Sequence, residues 1–125
     1  MLRSVSLAIA AALLAGTAFA AEPASGPPAA KDGMFVNGKG MTVYTFDKDT
    51  TPGKSVCNGP CATNWPPLIV ADASKATGAW SVVTRDDGLK QWAYKGKPVY
   101  SFAKDTKAGD TTGDGFLNGA WHIAK

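Results

Sequence analysis

From Met34 onward the apolar positions fall in short runs at the two-residue period of a pleated strand, separated by Gly, Asn and Asp. Residues 34–36 lead into Asn37-Gly38-Lys39-Gly40 and then into the run 41–46. Asn-Gly accepts the positive φ angles of a tight hairpin turn, so this stretch predicts two strands joined by such a turn. The β-branched and aromatic content of 41–46 suits a strand, and its period places Tyr44 and Phe46 on one face. Further on, residues 80–85, 89–94 and 98–102 read as three strands, joined by tight turns at Asp86-Asp87-Gly88 and Lys95-Gly96-Lys97. Only residues 71–78 have helical composition, and their length allows one or two turns.

The same pattern occurs twice. Residues 39–68 and 95–124 align without a gap at an offset of 56. Lys39, Gly40, Val43, Tyr44, Phe46, Lys48, Asp49, Thr50, Gly53, Gly59 and Trp65 recur as Lys95, Gly96, Val99, Tyr100, Phe102, Lys104, Asp105, Thr106, Gly109, Gly115 and Trp121. Self-similarity at a fixed spacing predicts two copies of one supersecondary unit. In each, a strand ending in Tyr-x-Phe is followed by a Gly- and Asp-rich loop of about fifteen residues, and the chain returns at Trp65 or Trp121. Loops that long need an internal organiser. The expected fold is all-β, a small antiparallel sandwich or an open barrel, occupying residues 34–125.

Tyr-x-Phe-x-x-Asp admits two readings. In the structural one the aromatics pack on the core face, and the Asp leaves the strand to accept backbone N–H bonds from its loop. In the functional one Tyr44, Asp49, Tyr100 and Asp105 form paired binding sites. Two copies of this motif, with Cys-x-x-x-Cys-Ala and Trp-Pro-Pro-Leu after the first and Lys-Gln-Trp-Ala-Tyr-Lys-Gly-Lys-Pro-Val-Tyr opening the second, resemble the bacterial secreted-repeat family. Its members are predicted lipoproteins described by a Y-x-(F/W/Y)-x-x-D motif. The resemblance covers residues 34–125. It implies an exported repeat domain without an assigned function, and it brings no catalytic residues.

Other residues offer chemistry where the copies differ. Cys57 and Cys61 face Gly113 and Leu117 in the alignment, so the repeat can fold without a bridge. In an exported chain a disulfide is the default for such a pair. Copper is the competing reading, because thiolate and thioether sulfur select Cu(I) and imidazole also suits it. Its ligands would come from Cys57, Cys61, Met34, Met41 and His122, with Met34 and Met41 facing each other across their hairpin. Asp47, Asp49 and Asn58 in one loop, and Asp105, Asp110 and Asp114 in the other, suggest calcium. Their spacing lacks the twelve-residue loop with its terminal Glu. Trp92 and Tyr94 share a strand face and are the expected exposed aromatic surface. No Ser lies in a nucleophile turn, and no Gly-rich phosphate loop opens a helix, so a non-catalytic domain is expected.

Composition then sets the location. Arg3, the apolar run 7–14 and Ala18-Phe19-Ala20 read as an export signal cleaved after Ala20. Leu14-Ala15-Gly16 begins like a lipoprotein cleavage box, but Thr17 stands where lipid attachment needs Cys, so a periplasmic or secreted protein without a lipid anchor is expected. Residues 21–33, rich in Ala, Pro and Gly, read as a flexible leader. There are 13 basic and 10 acidic residues. Removing Arg3 leaves a charge of about +2, too mild for nucleic acid. The expected partner is an envelope component or a small ligand.

Overall fold

The computed structural model describes residues 24–125. The expected export signal and the start of the leader lie outside them. The strands are β1 (Ala29–Lys31), β2 (Met34–Val36), β3 (Tyr44–Phe46), β4 (Trp80–Thr84), β5 (Lys90–Tyr94), β6 (Lys97–Tyr100) and β7 (Trp121–Ile123). β1 and β2 form a two-stranded hairpin, while the others form one sheet in the order β4-β5-β6-β3-β7. Every strand pairing is antiparallel. The fold is therefore all-β, and of the two expected architectures it resembles the sandwich, since its two sheets do not close into a barrel. A helix, α1 (Pro60–Asn64), begins within the cysteine loop with proline in its first turn, where a missing N–H costs nothing. The helical stretch near residue 74 is a single 3-10 turn, Ala73–Lys75, capped by the Asp72 side chain.

Turn chemistry divides the two hairpins. Lys95 (φ 51°) and Gly96 (φ 84°) are both left-handed, the geometry of a two-residue primed turn between β5 and β6. The Asn37-Gly38 turn differs from expectation, because the positive φ falls on Gly40. Asn37 instead uses its side-chain oxygen to accept the N–H groups of Lys39 and Met41, which widens the turn and shortens the following strand.

The two repeats exchange their returning segments. β7, from the second copy, lies beside β3 of the first, with Trp121 opposite Phe46 and Ile123 opposite Tyr44. The equivalent segment of the first copy lies beside β6, with Pro67 opposite Tyr100. Backbone bonds repeat the relation: Asp47 N–H donates to Ala120 and Ala103 N–H to Asn64, each at the same offset of 56. Pro66 and Pro67 lack N–H groups, so the first copy's return makes a bridge where the second makes a strand.

Both faces of the central strands are buried. Tyr44, Phe46, Trp65, Tyr100, Phe102, Trp121 and Cys57 form one apolar cluster, and Val43, Leu68, Trp92, Val99 and Ala124 form the other. Part of the leader is engaged with the domain. Ser25 bridges Val70, its carbonyl accepts the Trp92 indole N–H at 2.9 Å, and β1 pairs along β2. A stretch poor in side chains is held here through its backbone.

Candidate functional site

The motif residues converge at the junction of the repeats. Tyr44 and Tyr100 are directly opposite in the β3–β6 ladder. Each phenol crosses to the carboxylate of the other copy: Tyr44 donates to Asp105 Oδ2 at 2.6 Å, and Tyr100 donates to Asp49 Oδ2 at 2.6 Å. The second oxygen of each carboxylate organises its own loop. Asp49 Oδ1 accepts Val56 N–H at 2.7 Å, and Asp105 Oδ1 accepts Thr112 N–H at 2.9 Å and the Thr112 hydroxyl. Loop organisation by the Asp is thus as the spacing predicts. All four side chains are buried.

Between the two pairs runs a column of rings. Phe46, Trp121, Trp65 and Phe102 stack in that order at centroid separations of 4.0, 3.7 and 4.0 Å, with interplanar angles of 10°, 2° and 19°. Tyr44 meets Trp65 edge-on at 5.4 Å, and Tyr100 meets Trp121 edge-on at 5.1 Å. Face contacts of this kind contribute about 0.5–1.5 kcal/mol each beyond area burial. The Trp121 indole N–H has no partner among the described residues, and its ring is held by the faces of Phe46 and Trp65.

Burial sets the electrostatics. It raises both phenols well above the ordinary tyrosine range, assisted at Tyr44 by the bond to Asp105 and at Tyr100 by the Asp49 charge. The same desolvation raises the Asp49 carboxyl, against the lowering bonds from Tyr100 and Val56. The phenols therefore stay protonated as donors. This arrangement can bind two repeats together, but it presents neither a free base nor an accessible nucleophile.

One side of the site carries an addition absent from the other. Arg85, only 3% exposed, donates to Ser55 Oγ and Gln91 Oε1 through Nη1, and to the Cys57 carbonyl and Asn58 Oδ1 through Nη2. Its Nε pairs with Asp87 at 3.2 Å. Ser55 in turn bonds the Tyr100 hydroxyl at 2.6 Å. Sequence reading missed Arg85, Ser55 and Gln91. Arg85 precedes an Asp-Asp-Gly turn and so resembles an exposed hairpin end. In the second copy Gly113 replaces Cys57 and donates its N–H to Tyr44 at 3.2 Å. A Cβ there would lie 2.6 Å from the Trp65 ring and 2.9 Å from Phe102.

The remaining candidates lie apart. Cys57 and Cys61 form a disulfide, so neither sulfur is a thiolate ligand. Met34 pairs opposite Lys31 and Met41 hydrogen-bonds Asn37 across its turn, so the two do not face each other as expected. His122 is opposite Thr45 and bonds Asp47 at 2.8 Å. Among the described residues no three His, Cys, Asp or Glu side chains gather as a metal set. The loop carboxylates read as calcium ligands serve the chain instead: Asp110 accepts the N–H groups of Thr106 and Lys107, and Asp114 accepts that of Ile123. Trp92 is not an exposed platform. The backbone at Ser25 covers it, and it is fully buried. Tyr94 is half-buried against Phe35 at 4.7 Å and Trp80 at 4.8 Å.

Two segments of the chain, 29–69 and 81–125, match a family model described as a secreted repeat of unknown function. No curated protein and no solved structure matches the chain.

Proposed function

The chain belongs to this family of secreted repeats, and from that premise we propose that it is a non-catalytic binding domain of the bacterial envelope, periplasmic or secreted. One observation carries the reading: the four polar side chains of the repeated motif bond one another inside the core. Their chemistry goes into joining two copies, which leaves the outer surface to meet a partner. Among the described residues no helix is long and apolar enough to cross a membrane. The disulfide supports an oxidising compartment.

Incubation of the purified protein with isolated envelope material tests this. The expected result is co-sedimentation with the envelope and no change in its composition by mass spectrometry. Release of soluble fragments, dependent on the protein, would mean that it is an enzyme. A protein that stays entirely in the supernatant is not an envelope-binding domain.

A further inference from the structure

We propose that a lysine-lined groove around the Lys95-Gly96 turn is the binding site, and that its ligand is a linear acidic polysaccharide. The inference rests on the binding-domain reading and supplies its site and ligand class. Three shallow depressions adjoin through shared lining residues. The first, of about 210 Å³, lies among Thr45, Tyr94, Lys95, Lys97, Ile123 and Lys125. The second, about 290 Å³, shares Lys95 and Lys97 and extends past Phe46 to Pro52. The third, about 210 Å³, shares Lys125 and is floored by Phe35, Met34 and Ala30. None reaches the size that encloses a drug-sized molecule. Contiguous through these shared residues, they suit a chain that lies along the surface.

The lining chooses the charge. No Asp or Glu lines the first or third depression. The second contains Asp47 and Asp49: Asp49 is buried and bonded by Tyr100 and Val56, while Asp47 is exposed and bonds His122 at 2.8 Å, so the excess of positive charge lies in the first depression. Lys95, Lys97 and Lys125 are exposed, and among the described residues none has an ion-pair partner. Lys95 sits at φ 51°, a backbone region that favours Asn or Gly. A lysine there lifts an ammonium group over the Tyr94 ring at 5.3 Å from its centroid.

The lining also chooses the ligand. Phe35 and Tyr94 are half-buried and in mutual contact, which gives the apolar ring surface that the C–H face of a sugar can cover. Paired recognition of one carboxylate or phosphate favours the fork of arginine, whereas ammonium groups act as point charges suited to anionic groups dispersed along a polymer. Arg85 is buried and committed to its loop. A bilayer would call for exposed apolar side chains. The large exposed ones, Val56, Leu89, Phe116 and Leu117, all lie outside the groove.

Polygalacturonate is the probe, titrated into the full exported protein by calorimetry, with dextran and phosphatidylglycerol vesicles in parallel. Binding should weaken with added salt and should shift the amide signals of residues 94–97. The variant Lys95→Asn/Lys97→Gln/Lys125→Gln, which keeps a residue tolerant of the left-handed turn, should bind about 10- to 100-fold more weakly. Removing the same charge at Lys39, Lys75 and Lys104 should leave affinity unchanged. Equal losses in both variants, or vesicle binding without polygalacturonate binding, would overturn the proposal. Dextran binding alone would overturn it too, while leaving the binding-domain reading intact.

Discussion

Tyr44→Phe removes one oxygen atom and keeps the ring. That oxygen donates to the Asp105 carboxylate at 2.6 Å and accepts the Gly113 N–H at 3.2 Å, both in the interior. A hydrogen bond to a charged group contributes about 1.5–3 kcal/mol, and a buried N–H left without an acceptor costs about 1–3 kcal/mol. The two losses share an atom and do not add fully. We therefore expect destabilisation of about 2–4 kcal/mol, out of the roughly 5–15 kcal/mol available to a small domain. The variant should still fold, with its thermal midpoint lowered by about 10–30 °C. Urea denaturation followed by tryptophan fluorescence measures the change, since Trp65 and Trp121 lie in the ring column beside Tyr44. A double-mutant cycle with Asp105→Asn should return a coupling of about 1.5–3 kcal/mol. Tyr94→Phe, at a half-buried tyrosine outside this network, is the control and should fall within about 0.5 kcal/mol of wild type. If Tyr44→Phe costs no more than that control, or if the cycle shows no coupling, the crossed Tyr–Asp pairs do not hold the repeats together.

High pH should unfold the domain through the same pair of phenols. Burial raises both above the ordinary range, so the folded chain keeps two protons that the unfolded chain releases near pH 10. Their stabilisation is present below that pH and is lost above it, by about 1.4 kcal/mol per tyrosine at about pH 11. Urea titrations below and above pH 10 should show this loss in wild type but not in Tyr44→Phe/Tyr100→Phe, and an equal loss in both would refute the assignment. Gly113→Ala should destabilise by about 1–3 kcal/mol, because the new methyl group would meet Trp65 at 2.6 Å in the middle of the stack. A thermal midpoint equal to wild type would show that the rings can move aside. Cys57→Ala/Cys61→Ala should fold and lose about 2 kcal/mol, the entropy of closing so short a loop. Complete unfolding of that variant at room temperature would make the bridge a condition of folding.

The fold was largely legible because its signals are local. Alternation marked β4, β5 and β6, and the offset of 56 marked the two copies. Period alone put Tyr44 and Phe46 on one face, and composition explained why Asp49 and Asp105 organise their loops. The partners of the phenols were not legible. A repeat shows what each copy contains, but whether Tyr44 reaches Asp49 or Asp105 depends on how the copies pair, and the exchanged returning segments decide that. Trp92 was misplaced for another reason. Its cover is a backbone carbonyl of Ser25, and a stretch of Ala, Pro and Gly gives no side-chain sign that its backbone is engaged. Arg85 was hidden by its neighbours, since Arg-Asp-Asp-Gly has the composition of a solvated turn whatever the arginine does.

The departures from symmetry follow from what the ring column needs at its two sides. Beside Trp65 and Phe102 the chain comes so close that only glycine fits at residue 113, and Phe116 adds a further ring to that side. The corresponding place in the first copy is taken by Cys57, fully buried in the same cluster and tied to Cys61. A cysteine at residue 113 would place its Cβ in the Trp65 ring, and Leu117, the aligned partner of Cys61, is left-handed at φ 58°. The bridge could not be duplicated without displacing the stack. Arg85 completes the difference by fixing the Cys57 carbonyl and Asn58, bonds that the tighter second loop replaces with the Gly113 contact to Tyr44. The divergence of the two loops is therefore explained by packing, and it requires neither copper nor a reactive thiol. Packing gives no account of the exposed lysines Lys97 and Lys125, which belong to the site proposed for a ligand.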